Sequence, residues 1–344
     1  MTSIETTTAP ETTTSPLGPR TESGHPGRPP VLRVPDAQDP ARWADGARER
    51  LRAELLAHGA VLIRGLGLRD TADVAAVLAH LALEPVTERE AFAPRETYAP
   101  GVHSASPWPP NQPMCMHHEL SYTLGFPGLL LFACLTGPTS GGAICLADAA
   151  TVLDALPRHL AERFEREGWL LDRSYNDEIG ATVSEAFGTA DRDAVESYCR
   201  AHAIDWDWQP DGALRTTQRR SAVVRHPAGG QRCWFNQIAF LNEWTLAPEV
   251  REYLIDEYGP AGLPFNTRYG DGEPLDEEAV RLIGSVYADH TVRLPWQAGD
   301  LLLVDNIRTA HSREAYEGPR DVVVAMASPT RLDTCPPTAG AGQR

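Results

Sequence analysis

Two histidines stand side by side at positions 117 and 118, and a glutamate follows at 119. In extended chain, residues i and i+2 point to the same side. His117 and Glu119 therefore converge, while His118 points away. An imidazole nitrogen and a carboxylate oxygen on one short edge can hold a metal ion. Chance also produces such pairs in a chain with 11 histidines and 47 acidic residues, and the competing reading is a polar strand end. A third donor is offered by His311, in a loop between two apolar strands of the segment 300–326. It can be read as a surface histidine, but a closed barrel would carry that loop to the first pair. Two histidines and one carboxylate on one side of an ion leave its other positions open. That arrangement suits ferrous iron that must bind a cosubstrate and oxygen together.

Arg320 opens the strand after His311. Turned into a barrel, its guanidinium is costly to bury unless an anion meets it, and its planar fork suits a carboxylate. Turned outward, it would pair with Glu317 or Asp321. Asn236, in WFNQ, is a candidate for contact with cosubstrate or substrate, or else the side chain that satisfies a bend. Ser121 and Tyr122 follow the proximal pair and could line the entrance. Arg95 and His103 lie in the loop-rich stretch 85–113, a natural place for a lid, since loops on a rigid scaffold often carry specificity. Arg215 and Arg219 form a basic cluster that could face an anionic substrate, although a solvated strand face explains them as well.

These residues need elements to position them. A helical apolar face (Trp43, Ala47, Leu51, Leu55, Leu56) runs over 39–58 and ends at Gly59. GAVLIRGL then reads as a buried strand, and a helix over about 70–82 opens at Asp70 or Thr71. GLLLFACL (128–135) is a buried strand. Further helices follow Asp148, where Pro157 divides the run, then Thr189 or Asp191, Pro248 and Asp276. Segments 221–226 and 232–240 read as strands, as do the stretches around DLLLVDN and RDVVVAMAS. Strands dominate the centre and no βαβ rhythm repeats. GxGxxG and GxxxxGK[ST] motifs are lacking, which disfavours a nucleotide-binding sheet. The expected class is mainly β with flanking helices around a small barrel or jelly-roll core.

The chain has 344 residues, and its 42% hydrophobic content permits a substantial core. A net charge of −16 repels phosphate backbones and anionic membranes, so neither nucleic acid nor a membrane is an expected partner. All 31 basic residues are arginines, which rules out a lysine nucleophile. Six scattered cysteines suggest a reduced setting. No apolar stretch approaches the roughly 18–20 residues that span a bilayer, and no basic-then-apolar leader is read, so a cytoplasmic protein is expected. Residues 1–30, rich in Thr, Pro and Ser, are expected to be a disordered tail. Residues 31–334 then form a single domain, and 335–344 a flexible C-terminal tail.

Over roughly 45–330 the chain resembles the TauD/TfdA-like superfamily of iron(II)/2-oxoglutarate-dependent oxygenases, with the SyrP-like proteins of natural-product pathways as the nearest branch. The resemblance is carried by HGAVLIRGL, HHELSYTLGFPGLLLFACL, CWFNQ, LPFNTRYGDGEP, PWQAGD and DNIRTAHSREAYEGPR, in order. It implies a double-stranded β-helix (jelly roll, cupin-like) core, with His117, Glu119 and His311 as iron ligands. It implies that Arg320 grips the distal carboxylate of 2-oxoglutarate, the cosubstrate used with O2. The reaction so implied consumes 2-oxoglutarate, releases succinate and carbon dioxide, and hydroxylates an amino acid or amino-acid-derived precursor, free or carried on a carrier protein. Desaturation, epoxidation and cyclisation share its first step.

Two departures stand out. Ile144 occupies the place of a threonine that helps hold the cosubstrate, and Asp321 the place of a second basic residue. Related halogenases lack the carboxylate, so Glu119 points to oxygenation. A zinc hydrolase could use the same donors, but HExxH is lacking and Arg320 would have no purpose. A non-catalytic small-molecule-binding barrel would not need the donors at all.

Overall fold

The computed structural model describes residues 20–21, 28–34 and 39–335. Most of the expected N-terminal tail and residues 336–344 thus lie outside the described residues. Within the expected tails, Arg20–Thr21 pairs with the strand Val31–Arg33, and Cys335 is fully buried in the core instead of starting a flexible segment.

The largest sheet has eight strands. Its centre runs Ala60–Arg64, Leu301–Asp305, Gly125–Thr136, Asp321–Arg331 and Val102–Ser104. Its apolar runs are unbroken because both faces are covered. On Gly125–Thr136, Leu130, Phe132 and Cys134 enter the interior shared with the smaller sheets. The alternating Leu129, Leu131 and Ala133 meet the helices Pro40–His58 and Thr71–His80. Leu302 and Val304 divide from Leu301 and Leu303 in the same way, as do Val322 and Val324 from Val323 and Ala325. Ile144–Asp148 pairs with Thr309–Arg313 and Val292–Leu294 in a smaller sheet that contributes to the same interior. A mainly β core with helices outside it is therefore observed, as the sequence predicts.

Helix Pro40–His58 is opened by the Asp39 carboxylate, which accepts from Ala41 N at 3.0 Å, and by proline in its first turn. Its apolar face buries Trp43, Ala44, Ala47 and Leu51, whereas Leu56 is half exposed. Gly59 closes the helix at φ +75, and its carbonyl accepts from Asp305 N and Thr309 Oγ1. A Cβ there would meet Thr309 Oγ1 at 2.5 Å, so glycine lets the helix end abut the strand that bears His311. Asp70, Asp148, Asp191 and Asp276 cap their helices through side-chain oxygens. Pro157 separates Ala149–Ala155 from Arg158–Glu167.

Two expectations change. The second strand of the 221–240 pair is only Arg232–Trp234, after which the chain bends. In addition, Trp169–Tyr175, Ile204–Trp208, Leu214–Arg220 and Phe265–Tyr269 form a four-stranded sheet that the turn-rich and charged local sequence concealed.

Candidate metal centre

His117 and His311 lie directly opposite each other. His117 N donates to His311 O at 3.0 Å, and His311 N donates to His117 O at 2.9 Å. Directly paired residues of antiparallel chains project to one side, which brings two residues 194 positions apart to a ring–ring distance of 4.3 Å. Extended backbone ends at Glu119, and Leu120 adopts φ +54 as a turn begins. The Glu119 peptide is clamped by Asn306: its N–H donates to Asn306 Oδ1 at 2.8 Å, and Asn306 Nδ2 donates to Glu119 O and Pro127 O, both at 2.8 Å. His118 turns away, as expected, with Nδ1 2.5 Å from Asn306 O.

Glu119 Oε2 consequently stands 4.0 Å from His117 Nε2 and 3.9 Å from His311 Nε2. One donor atom from each residue lies within 4.8 Å of the others, and all three residues are buried. His117 Nδ1 is 2.9 Å from Cys115 O. Donation to that carbonyl places the proton on Nδ1 and leaves Nε2 bare toward the other donors. Burial lowers the pKa of His117 and holds that of His311 well below the usual histidine value. Burial pushes the Glu119 carboxyl up, but Arg95, through its charge and its hydrogen bond, brings it below the ordinary range. Neutral imidazoles and an ionised carboxylate are the forms a metal requires. This donor set, on one side of a cavity, fits a ferrous ion.

The cavity is also lined by Arg95, Ala105, Ser106, Phe132, Ile144 and Arg320, among others. Arg320 makes no hydrogen bond or ion pair with a described residue; its Nε is buried without a partner, and its Cζ lies 5.4 Å from the Tyr316 ring centroid. Neither Glu317 nor Asp321 meets it. Burial, and then neighbouring Arg313, draw its pKa down to about 10, so it remains a cation at neutral pH. Arg313 donates to the carbonyls of Pro109 (2.9 Å), Gln112 (3.1 Å) and Pro110 (3.4 Å), tying down the 105–113 loop, from which Ala105 and Ser106 line the cavity. Ile144 contributes apolar wall where the resemblance leads one to expect a hydroxyl.

The other candidates separate cleanly. Arg95 lines the cavity, and its Nη2 donates to Glu119 Oε1 at 3.0 Å. His103 lies opposite Val324 in the sheet, but its Nδ1 meets Thr97 Oγ1 at 3.2 Å and its ring does not line the cavity. Asn236 is not in the cavity lining: Nδ2 donates to Ala222 O and Oδ1 accepts from Ile238 N, which satisfies the bend after Trp234. The turn at Leu120 carries the next two side chains off the cavity wall. Tyr122 OH donates to Glu90 O at 3.1 Å, and Ser121 is buried outside the lining. Arg219, on an exposed position of the four-stranded sheet, donates to Gly270 O. Asn306 was not anticipated; its signal was its place in the DN pair five residues before His311.

A jelly-roll core with two imidazoles and one carboxylate converging on a cavity is the architecture of non-haem iron(II) oxygenases. The chain belongs to the taurine catabolism dioxygenase TauD, TfdA family, whose model matches residues 26–326. It is similar to the dapdiamide synthesis protein DdaC of Enterobacter agglomerans, 33% identical over 79% of this chain and 82% of the relative. A clavaminate synthase-like protein of Arabidopsis thaliana is 26% identical over 78% of this chain and 81% of its own length. Among solved structures, PvcB of Pseudomonas aeruginosa, an Fe, alpha-ketoglutarate dependent oxygenase, is 16% identical and covers 89% of each chain at a TM-score of 0.49. The protein is thus an iron(II)- and 2-oxoglutarate-dependent dioxygenase that acts with O2 on a small-molecule substrate. This sets aside the zinc hydrolase and the inert barrel. No helix among the described residues is long and apolar enough to cross a membrane.

Proposed function

We propose that His117, Glu119 and His311 hold the iron, that Arg320 anchors the far carboxylate of 2-oxoglutarate, and that the enzyme hydroxylates a C–H bond of an amino acid or amino-acid-derived biosynthetic precursor, free or carrier-bound. The observation that carries the reading is the shared cavity, whose lining holds three convergent donors and a guanidinium with no ion pair among the described residues. Iron, when bound, supplies the redox chemistry that activates oxygen at the expense of 2-oxoglutarate.

The chain's own residues do the rest. Asn306 fixes the main chain of Glu119, and Cys115 O sets the tautomer of His117. Phe132, Ile144, Val322 and Val324 keep the wall apolar, which strengthens charge pairing inside. Arg313 ties down the 105–113 loop and adds positive charge near Arg320. With Arg95, Arg313 and Arg320 facing one carboxylate, the lining favours guests that carry carboxylates. The similarity to a dapdiamide synthesis protein supports a biosynthetic substrate.

The test is succinate release across a panel of amino acids, free and loaded on a carrier protein, with product mass recorded. A gain of one oxygen is expected. A loss of two hydrogens would reassign the outcome to desaturation, and substrate-independent behaviour across the panel would overturn the substrate class.

A further inference from the structure

We propose that Arg95 is a positioning residue that holds Glu119 as a one-oxygen ligand, keeping the coordination position beside it open for reactants. The inference rests on the iron reading above. A carboxylate can offer a metal one oxygen or two. Here the two oxygens of Glu119 face different partners. Oε2 is the atom 4.0 Å and 3.9 Å from the two imidazole nitrogens, whereas Oε1 accepts from Arg95 Nη2 at 3.0 Å. For Oε1 to turn toward an ion it would have to leave a guanidinium whose side chain is only 8% exposed. Losing a charge-assisted bond in such a place is unfavourable.

The guanidinium cannot follow Glu119 either. Its other edge is drawn to Glu88, with Nε 3.5 Å from Glu88 Oε2. The segment carrying both residues is pinned between them at Glu90. There the carboxylate accepts from Tyr198 OH at 2.9 Å and Gln218 Nε2 at 3.1 Å, the carbonyl accepts from Arg173 Nη1 at 2.6 Å, and the N–H donates to Ala186 O at 2.8 Å. Asn306 holds the main chain of Glu119 from the opposite side. Glu119 is therefore held at its main chain by Asn306 and at its carboxylate by Arg95.

The experiment loads the protein with Mn(II) and counts exchangeable inner-sphere waters by water-proton relaxation. An octahedral ion with three protein donor atoms keeps about three waters, and about two if Glu119 binds through both oxygens. We expect about three in the wild type, about two in Arg95→Met, and about three again in Arg95→Lys, whose ammonium still engages Oε1. An unchanged count in Arg95→Met overturns the proposal. So does a count of about two in the wild type, a result that needs no variant to fold. Failure of the wild type to bind Mn(II) at all would overturn the iron reading itself, and the inference with it, and is distinguishable from both results.

Discussion

Two guanidiniums line one cavity, one buried and one partly buried, and they are treated differently. Arg95, at the metal end, has two carboxylates, Glu88 and Glu119, within 3.5 Å. Arg320, in the same lining, has neither a hydrogen bond nor an ion pair among the described residues. The fold supplies the first with its anions and leaves the second without one. Burying an unpaired charge costs several kcal/mol unless a partner arrives. A cation that completes its pairing inside the chain is part of the scaffold; a cation that does not is a receptor.

The largest effect should come from breaking the metal end. His311→Ala removes one of three donors, and its loss of Mn(II) affinity in a direct titration should exceed the roughly 10–100-fold cost of removing an outer partner. Arg320→Ala should leave the donors intact. It should weaken 2-oxoglutarate binding by about 2–4 kcal/mol, in line with loss of a buried charge pair, while Mn(II) affinity stays within a factor of about two. Asn306→Ala keeps every donor but frees the Glu119 main chain, and about a 10–100-fold drop in metal affinity is expected.

Glu88 sharpens the comparison through pH. Burial, opposed by Arg95 and reinforced by Glu119, pushes its carboxyl up to about 7. The folded state therefore holds that proton to higher pH than the unfolded chain does, and stability falls as pH rises from the ordinary carboxylate range through about 7. Glu88→Gln should abolish this contribution. Its stability relative to wild type, from chemical denaturation, should rise between pH 5 and pH 8 by on the order of 1–3 kcal/mol. Arg219→Ala should do least. Succinate formation should be unchanged and stability should shift by no more than about 0.5 kcal/mol, because the side chain is exposed on the outer sheet.

The same contrast explains what could be read in the sequence. The convergence of His117 and Glu119 was legible because residues two apart in extended chain share a side; His311, expected in a loop, lies instead within the strand Thr309–Arg313, whose pairing brings it opposite His117. The helix starts at Asp70, Asp148 and Asp276 were legible from local sequence too. The role of Asn306 was not, since its amide acts on a peptide 187 residues away. Asn236, Ser121 and Tyr122 fall outside the cavity lining because the chain bends after Trp234 and turns at Leu120. The partnering of Arg95 and the solitude of Arg320 are tertiary facts; two arginines read alike until their surroundings are known. The four-stranded sheet escaped because its strands carry charged and aromatic residues without a clear apolar run.

The most direct test mixes the anaerobic protein with ferrous iron and titrates 2-oxoglutarate while recording visible absorption. The account predicts a weak charge-transfer band that saturates in the wild type. The band should be lost in His311→Ala and should require far more 2-oxoglutarate in Arg320→Ala. No band in the wild type, or an Arg320→Ala titration that overlays it, would contradict the assignment of the cavity's metal and cosubstrate sites.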